Sequence, residues 1–220
     1  GLGIAMISFI YSITNTTAAI TLLCLAAMPF FTALLAFLFL KEKISFNVWI
    51  SMFIATVGII IMAFGNTEKN SLIGFVFGLT SSIGFSIFSV SLRWRKETPK
   101  FTTVAVAGLF CFVTATIMIL MSNQSFFATS FNSAMFSLHG IIVCLGLILY
   151  SIGSKAIQAA ELTLLSLTEV IGGIFWVWLP LFGINEVPST NTVVGGFFLF
   201  VSLVYYSLIM RWNKRYIALN

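Results

Sequence analysis

The sequence predicts an all-α integral membrane protein of about eight transmembrane helices, and three observations carry that class. Of its 220 residues 60% are hydrophobic and only 8% charged, against roughly 25% charged in soluble domains. Charge-free stretches recur: Gly1 to Leu40, Ser71 to Leu92, Phe101 to Ser154 apart from His139, and Val187 to Met210. A helix needs about 20 mostly apolar residues to cross the hydrocarbon core. Finally, the cations alternate. Lys41, Lys43, Arg93, Arg95, Lys96, Lys100, Lys155, Arg211, Lys214 and Arg215 fall in loops on one side of the predicted helices, and only Lys69 falls on the other.

Polar and turn residues divide the chain into segments. The first, Gly1 to Ile13, reaches about 20 Å at 1.5 Å per residue, short of the roughly 30 Å needed to span. It starts on glycine without a basic signal-peptide region, and reads as the rest of a longer membrane helix. The second, Ala18 to Leu40, contains Pro29 and ends at Glu42 between two lysines. Proline there removes an intrahelical bond and frees the Leu25 carbonyl. The third runs from Phe46 to Phe64. The fourth, Leu72 to Leu92, carries Gly74, Gly78, Ser82 and Ser86 at intervals of four, a packing stripe that permits close helix approach. The others are Phe101 to Met121, Met135 to Ser154, Leu162 to Phe182 and Thr192 to Met210.

The cation asymmetry places the lysine- and arginine-rich loops in the cytoplasm. The carboxyl terminus, with a tail over 212–220, is then inside. Trp94, Trp212 and Tyr216 beside these cations suit an interfacial belt. The loop "SNQSFFATSFNSA", Ser122 to Ala134, is external and reads as an interfacial loop or short helix, or as a lid. The net charge of +5 is dispersed among loops, unlike a nucleic-acid footprint. Cys24, Cys111 and Cys144 lie in apolar runs and form no disulfide framework.

Two apolar runs each end in a lone glutamate, and they align. Ala18 and Ala19 pair with Ala159 and Ala160, and Met28 and Pro29 with Glu169 and Val170. After an insertion, Glu42 pairs with Glu186, Ser45 with Ser189 and Ser51 with Gly195. The first glutamate falls on the cytoplasmic side and the second on the external side, so the copies are inverted, as in many secondary transporters. With five helices per copy, residues 1–65 hold the last three of the first and residues 71–211 all five of the second.

"PFFTALLAFLFLKEKIS", a following helix ending "VGIIIMAFGN", "AAELTLLSLTEV" and "GINEVPS" together resemble the EamA-type repeat of the drug/metabolite transporter superfamily. The resemblance implies ten helices in two inverted five-helix units with both ends cytoplasmic. It also implies a permease of small metabolites. Val170 stands where many second repeats have proline, and Lys41 where the first usually has glycine.

Glu169 is the sharpest site residue. Counted from Glu161 it lies about 12 Å into the membrane, where a carboxyl group must face a cavity, find a partner or stay protonated. It is either a proton or substrate site or a neutral acid bonding a neighbouring helix. Glu161, two turns earlier on the same face, is a second pathway residue or a solvated helix-start acid. The face continues through Gly172 and Gly173 to Trp176, which either admit a ligand or pack against another helix. Pro29 either exposes backbone dipoles to substrate or only shapes packing. Glu42 and Glu186 read as clamps on the turn to the next helix, with Lys41 and Lys43 flanking the first.

There is no aspartate, no metal-ligand spacing and no phosphate loop. An enzyme, a metal or cofactor site and an ATP-driven pump are not expected. The expected activity is secondary transport of a small metabolite, an amino acid or related compound moved outward, by alternating access in the plasma (inner) membrane. The alternative is a non-transporting or partner-dependent scaffold. The partners expected are the lipid bilayer and a small-molecule substrate, with a proton as candidate coupling ion and a homodimer as candidate assembly.

Overall fold

The computed structural model describes residues 1–42, 44–65, 72–95, 97, 99–122, 129–179 and 189–218, with side chains at all of these except 19, 62–65, 100, 174, 177, 178, 192 and 210–218. Among the described residues every regular element is helical. In order they are α1 (Leu2–Asn15), α2 (Ala18–Leu25), α3 (Met28–Leu35), α4 (Phe46–Gly65), α5 (Leu72–Trp94), α6 (Lys100–Ser122), α7 (Ser130–Gly153), α8 (Ala159–Leu165), α9 (Leu167–Trp178) and α10 (Thr190–Ala218). Four stretches are long and apolar enough to cross a membrane: Ile20–Leu40, Leu72–Trp94, Phe101–Ser122 and Ser130–Gly153. The chain is an all-α, multi-pass membrane protein.

The second segment is not one bent helix but a series of pieces. Thr17 caps α2 by accepting a bond from the Ile20 amide at 3.3 Å. The helix breaks at Ala26 and Ala27, and Pro29 enters the first turn of α3, where its missing N–H costs nothing. A π-helical turn, Ala36–Leu40, follows α3. It closes on Lys41, the one described non-glycine residue in the left-handed region, at φ 54°. The Lys41 and Glu42 amides both reach back to the Ala36 carbonyl. Left-handed backbone is where a helix end favours glycine, which accounts for the usual residue at this position.

The seventh segment also breaks, at Ser166, without a proline. Hydroxyls supply the reason. Thr163 Oγ1 donates to the Ala159 and Ala160 carbonyls, Ser166 Oγ to the Thr163 carbonyl at 2.7 Å, and Thr168 Oγ1 to the Leu165 carbonyl at 2.8 Å. Such back-bonding competes with the helical ladder and bends it. Two other boundaries move. α7 starts at Ser130 and not Met135, because Thr129 caps it through the Asn132 amide. The last helix continues through the expected tail as far as Ala218.

The two broken helices occupy the middle. α2 packs on α9 and α3 on α8, while α4 lies along α10 and α1 along α5. Met28, Met52, Leu164, Leu167 and Leu199, all fully buried, form the core where α3, α4, α8, α9 and α10 meet. Between α4 and α10 the backbones touch: a Cβ on Gly58 would stand 2.6 Å from the Gly195 carbonyl oxygen.

The stripe on α5 packs as its spacing predicts, and it also carries bonds. Ser82 Oγ donates to the Cys24 carbonyl, and Ser86 Oγ shares its proton between the Ser82 carbonyl at 2.8 Å and the Met28 carbonyl at 3.1 Å. Ser81 reaches the Ala5 carbonyl at 2.8 Å, and Ser12 of α1 reaches the Gly74 carbonyl at 2.8 Å. Ser81, Ser82, Ser86 and Ser12 are all buried. In an apolar surrounding every backbone acceptor needs a partner. Hydroxyls on α5 thus take up carbonyls where the α2–α3 ladder is interrupted.

Candidate functional site

Because the helix breaks at Ser166, Glu169 is not midway along a continuous helix. It lies in the first turn of α9, with its amide donating to the Ser166 carbonyl at 2.9 Å. The amide end of a helix carries partial positive charge, so a carboxyl group is favoured there. The side chain lies on an open face, and the Tyr150 hydroxyl of α7 is within its electrostatic reach.

Tyr150 is held firmly. Its hydroxyl lies 2.7 Å from Ser89 Oγ, and Ser89 Oγ also donates to the Phe85 carbonyl at 2.9 Å. Each hydroxyl has one proton. With the serine proton on Phe85, the tyrosine proton goes to Ser89, and the lone pairs of the Tyr150 oxygen remain as an acceptor. Phe85 and Phe88 fix the ring from the sides, with centroids 5.1 and 6.3 Å from that of Tyr150.

Glu161 and Glu169 do not share one environment, as the single-face reading expects. Glu161 belongs to α8, before the break, and its electrostatic neighbours are Glu42, Arg93 and Tyr206. The buried Tyr206 hydroxyl faces the Glu161 carboxyl without reaching hydrogen-bond geometry with any described group. The glycine pair also divides. Gly173 packs on Leu22 of α2, where a Cβ would come within 2.9 Å of that side chain, whereas a Cβ on Gly172 would meet nothing within 4 Å. Trp176 is exposed.

Pro29 is buried, and the Cys24 and Met28 carbonyls around its break are taken by Ser82 and Ser86 and not offered outward. Glu42 pairs with Arg93 at the end of α5, at 2.8 Å. Lys43 and Glu186 lie outside the described residues. From the sequence Tyr150 is no more than a polar group at a helix edge, facing a cavity or in the interfacial belt, and Arg93 one loop cation among ten; Ser89 carries no signal of its own. Ser82, Ser86, Ser89 and Arg93 follow one another at steps of four, three and four, so the row could have been followed to its charged end.

Residues 1–64 match the EamA-like transporter family, so the resemblance read from "PFFTALLAFLFLKEKIS" is borne out over that part of the chain. Two Helicobacter pylori proteins, each described as an uncharacterized transporter, are similar over 95 residues at 32% and 30% identity, covering 43% of this chain. The aligned part spans 32% of the length of each of these relatives. A solved crystal structure superposes on 95% of this chain and 75% of its own, with a TM-score of 0.70 at 17% identity. That likeness concerns the fold.

Proposed function

We propose, proceeding from the EamA-like match over residues 1–64, that this protein is a secondary transporter of a small metabolite working by alternating access between two inverted units, 1–65 and 71–211. One observation carries the reading. Two helices are broken in the middle of the bundle, at Ala26–Ala27 and at Ser166, and they pack on each other. Shifting the first break by the offset that pairs Ala18 with Ala159 carries it to within two residues of the second. Discontinuous helices at the centre of paired repeats are where such proteins bind solutes, with half-helix termini contributing charge. Glu169, in the first turn after the second break, is the ionisable group of that centre, and Tyr150 supplies an acceptor within its electrostatic reach.

The Glu169 carboxyl suits a proton, or the ammonium of an amino acid or related compound, and outward movement is the proposed direction. The plasma (inner) membrane, with the carboxyl terminus inside, follows from the cation asymmetry. A proton as coupling ion and a homodimer complete the proposal. The test is uptake or counterflow of labelled amino acids by the intact protein in vesicles, comparing wild type with Glu169→Gln. Flux that is lost or uncoupled from the proton gradient, with normal membrane insertion, is expected. Wild-type flux in that variant would remove Glu169 from the mechanism. The absence of flux for any solute tested would favour a scaffold.

A further inference from the structure

At the end of the bundle where α3, α5 and α7 finish and α8 begins, a single guanidinium on α5 bonds the turn after α3 and the end of α7. Arg93 Nε donates to Glu42 Oε1 at 2.8 Å, and its Nη1 donates to the Lys155 carbonyl at 3.0 Å and the Ser154 carbonyl at 3.4 Å. The carbonyl end of a helix favours a cation, and here one cation serves the ends of both α5 and α7. Glu161 lies close enough to act electrostatically on both Arg93 and Glu42. The two paired side chains are each 16% exposed, and among the described residues Glu42 Oε2 is buried with no hydrogen-bond partner.

The pair also crosses a boundary. Glu42 follows α3 in the unit 1–65, whereas Arg93, Ser154, Lys155 and Glu161 all belong to 71–211. At the opposite end the units are joined by a neutral bond: Ser12 Oγ reaches the Gly74 carbonyl at 2.8 Å. A charge pair with little exposure has two favourable states. Closed, the charges satisfy each other. Opened to water, each is hydrated, and only the dry, separated state is costly. Interfaces of this kind switch between arrangements and do not deform gradually.

We propose that Arg93 and Glu42 form the cytoplasmic latch of the transport cycle, paired while that end of the pathway is closed and separately hydrated when it opens. The proposal rests on the alternating-access reading. Arg93 and Glu42 are positioning residues, since neither is placed against the solute.

The experiment uses the intact protein in right-side-out and inside-out vesicles, with Cys24, Cys111 and Cys144 replaced by alanine. Single reporters are introduced as Ser89→Cys, one turn above Arg93, and Ser12→Cys, at the other end; both positions are buried. Labelling by a membrane-impermeant maleimide is followed from each side. Arg93→Gln, and the milder Glu42→Gln, should speed cytoplasmic labelling of Ser89→Cys by about fivefold or more and slow external labelling of Ser12→Cys. Arg93→Lys, which keeps a cation opposite Glu42 and a donor for the carbonyls, should hold both rates near those of the unmodified pair. Unchanged rates in Arg93→Gln overturn the latch, and so does acceleration of both reporters together, which is loosened packing. Rates in a folded Arg93→Lys variant as far shifted as those of Arg93→Gln also overturn it. The readout needs no solute, so a latch that fails while flux persists is distinct from a transporter reading that fails while labelling responds.

Discussion

Ser202 of α10 donates its hydroxyl to the backbone carbonyl of Ser51 in α4 at 2.7 Å, and this contact has a twin. The sequence pairing that sets Ser51 opposite Gly195 also sets Gly58 opposite Ser202, since both pairs differ by 144. Applied to the contact between Ser51 and Ser202, it yields a contact between Gly195 and Gly58, where the backbones of the same two helices meet. The broken helices behave alike, because the pairing exchanges the packing of α2 on α9 with that of α3 on α8. Two like units facing opposite ways have this reciprocity, as a two-fold interface does.

Gly58→Ala is therefore expected to destabilise the protein. Its Cβ would stand 2.6 Å from the Gly195 oxygen and 3.0 Å from the Phe198 Cβ, so the helices must part. Overpacking of that kind costs about 1–3 kcal/mol. Gly196→Ala, which meets nothing within 4 Å, should hold or slightly raise the thermal midpoint in detergent. Equal midpoints for the two variants would mean that α4 and α10 do not hold this close approach.

Lys41 offers a change in the opposite direction. Its left-handed backbone, φ 54°, costs a non-glycine residue roughly 1–2 kcal/mol. Glycine gives part of that back as lost freedom in the unfolded chain. Lys41→Gly should raise stability by about 0.5–1 kcal/mol, and Lys41→Val should lower it. A Lys41→Val variant as stable as wild type would show that the turn before Glu42 can adopt another conformation.

The same positions show what was legible in the sequence. Membrane class and segment count followed from charge-free runs, because a bilayer imposes one length on every crossing. Pro29 announced the first break by its chemistry. The second break, which has no proline, left as signals the repeat offset from the first and the hydroxyls of Thr163, Ser166 and Thr168. Each is an ordinary helix residue alone, and only their backbone bonds show the competition. Glu169 could be singled out because an intramembrane acid is rare. Its place in the first turn of α9 depends on that break and was not legible. Arg93 was counted as one loop cation among many. Its contact with Glu42, 51 residues away, is a product of tertiary packing, which local pattern cannot show.

Ser82→Ala and Ser86→Ala test the bonds from α5 to the broken helix. Hydrogen bonds inside membrane bundles contribute about 0.6 kcal/mol on average and up to ~1.7 kcal/mol. Each deletion also leaves a carbonyl near an interrupted ladder with one partner fewer. Losses at the upper part of that range are expected for each, and they should add, because the two serines donate to different carbonyls. Thermal midpoints of the single and double variants decide this. A double variant no worse than either single would show that the broken helix re-forms its own ladder.

Tyr150→Phe separates the site from its scaffold. The ring contacts with Phe85 and Phe88 survive the change. Ser89 keeps its own bond to the Phe85 carbonyl, so the folded protein should lose only about 0.6 kcal/mol. What disappears is the phenol oxygen within electrostatic reach of Glu169. If that oxygen helps to hold the proton or ammonium that Glu169 binds, losing roughly 1 kcal/mol of hydrogen bonding lowers solute flux about fivefold. The thermal midpoint should barely move, and Glu169→Gln in the same assay marks complete loss. Wild-type flux in Tyr150→Phe would leave Glu169 acting without it and would move the binding centre toward Trp176 and the open side of Gly172. A fall in flux matched by a large fall in stability would instead make Tyr150 a packing residue, because its hydroxyl would then be holding α7 to α5 through Ser89.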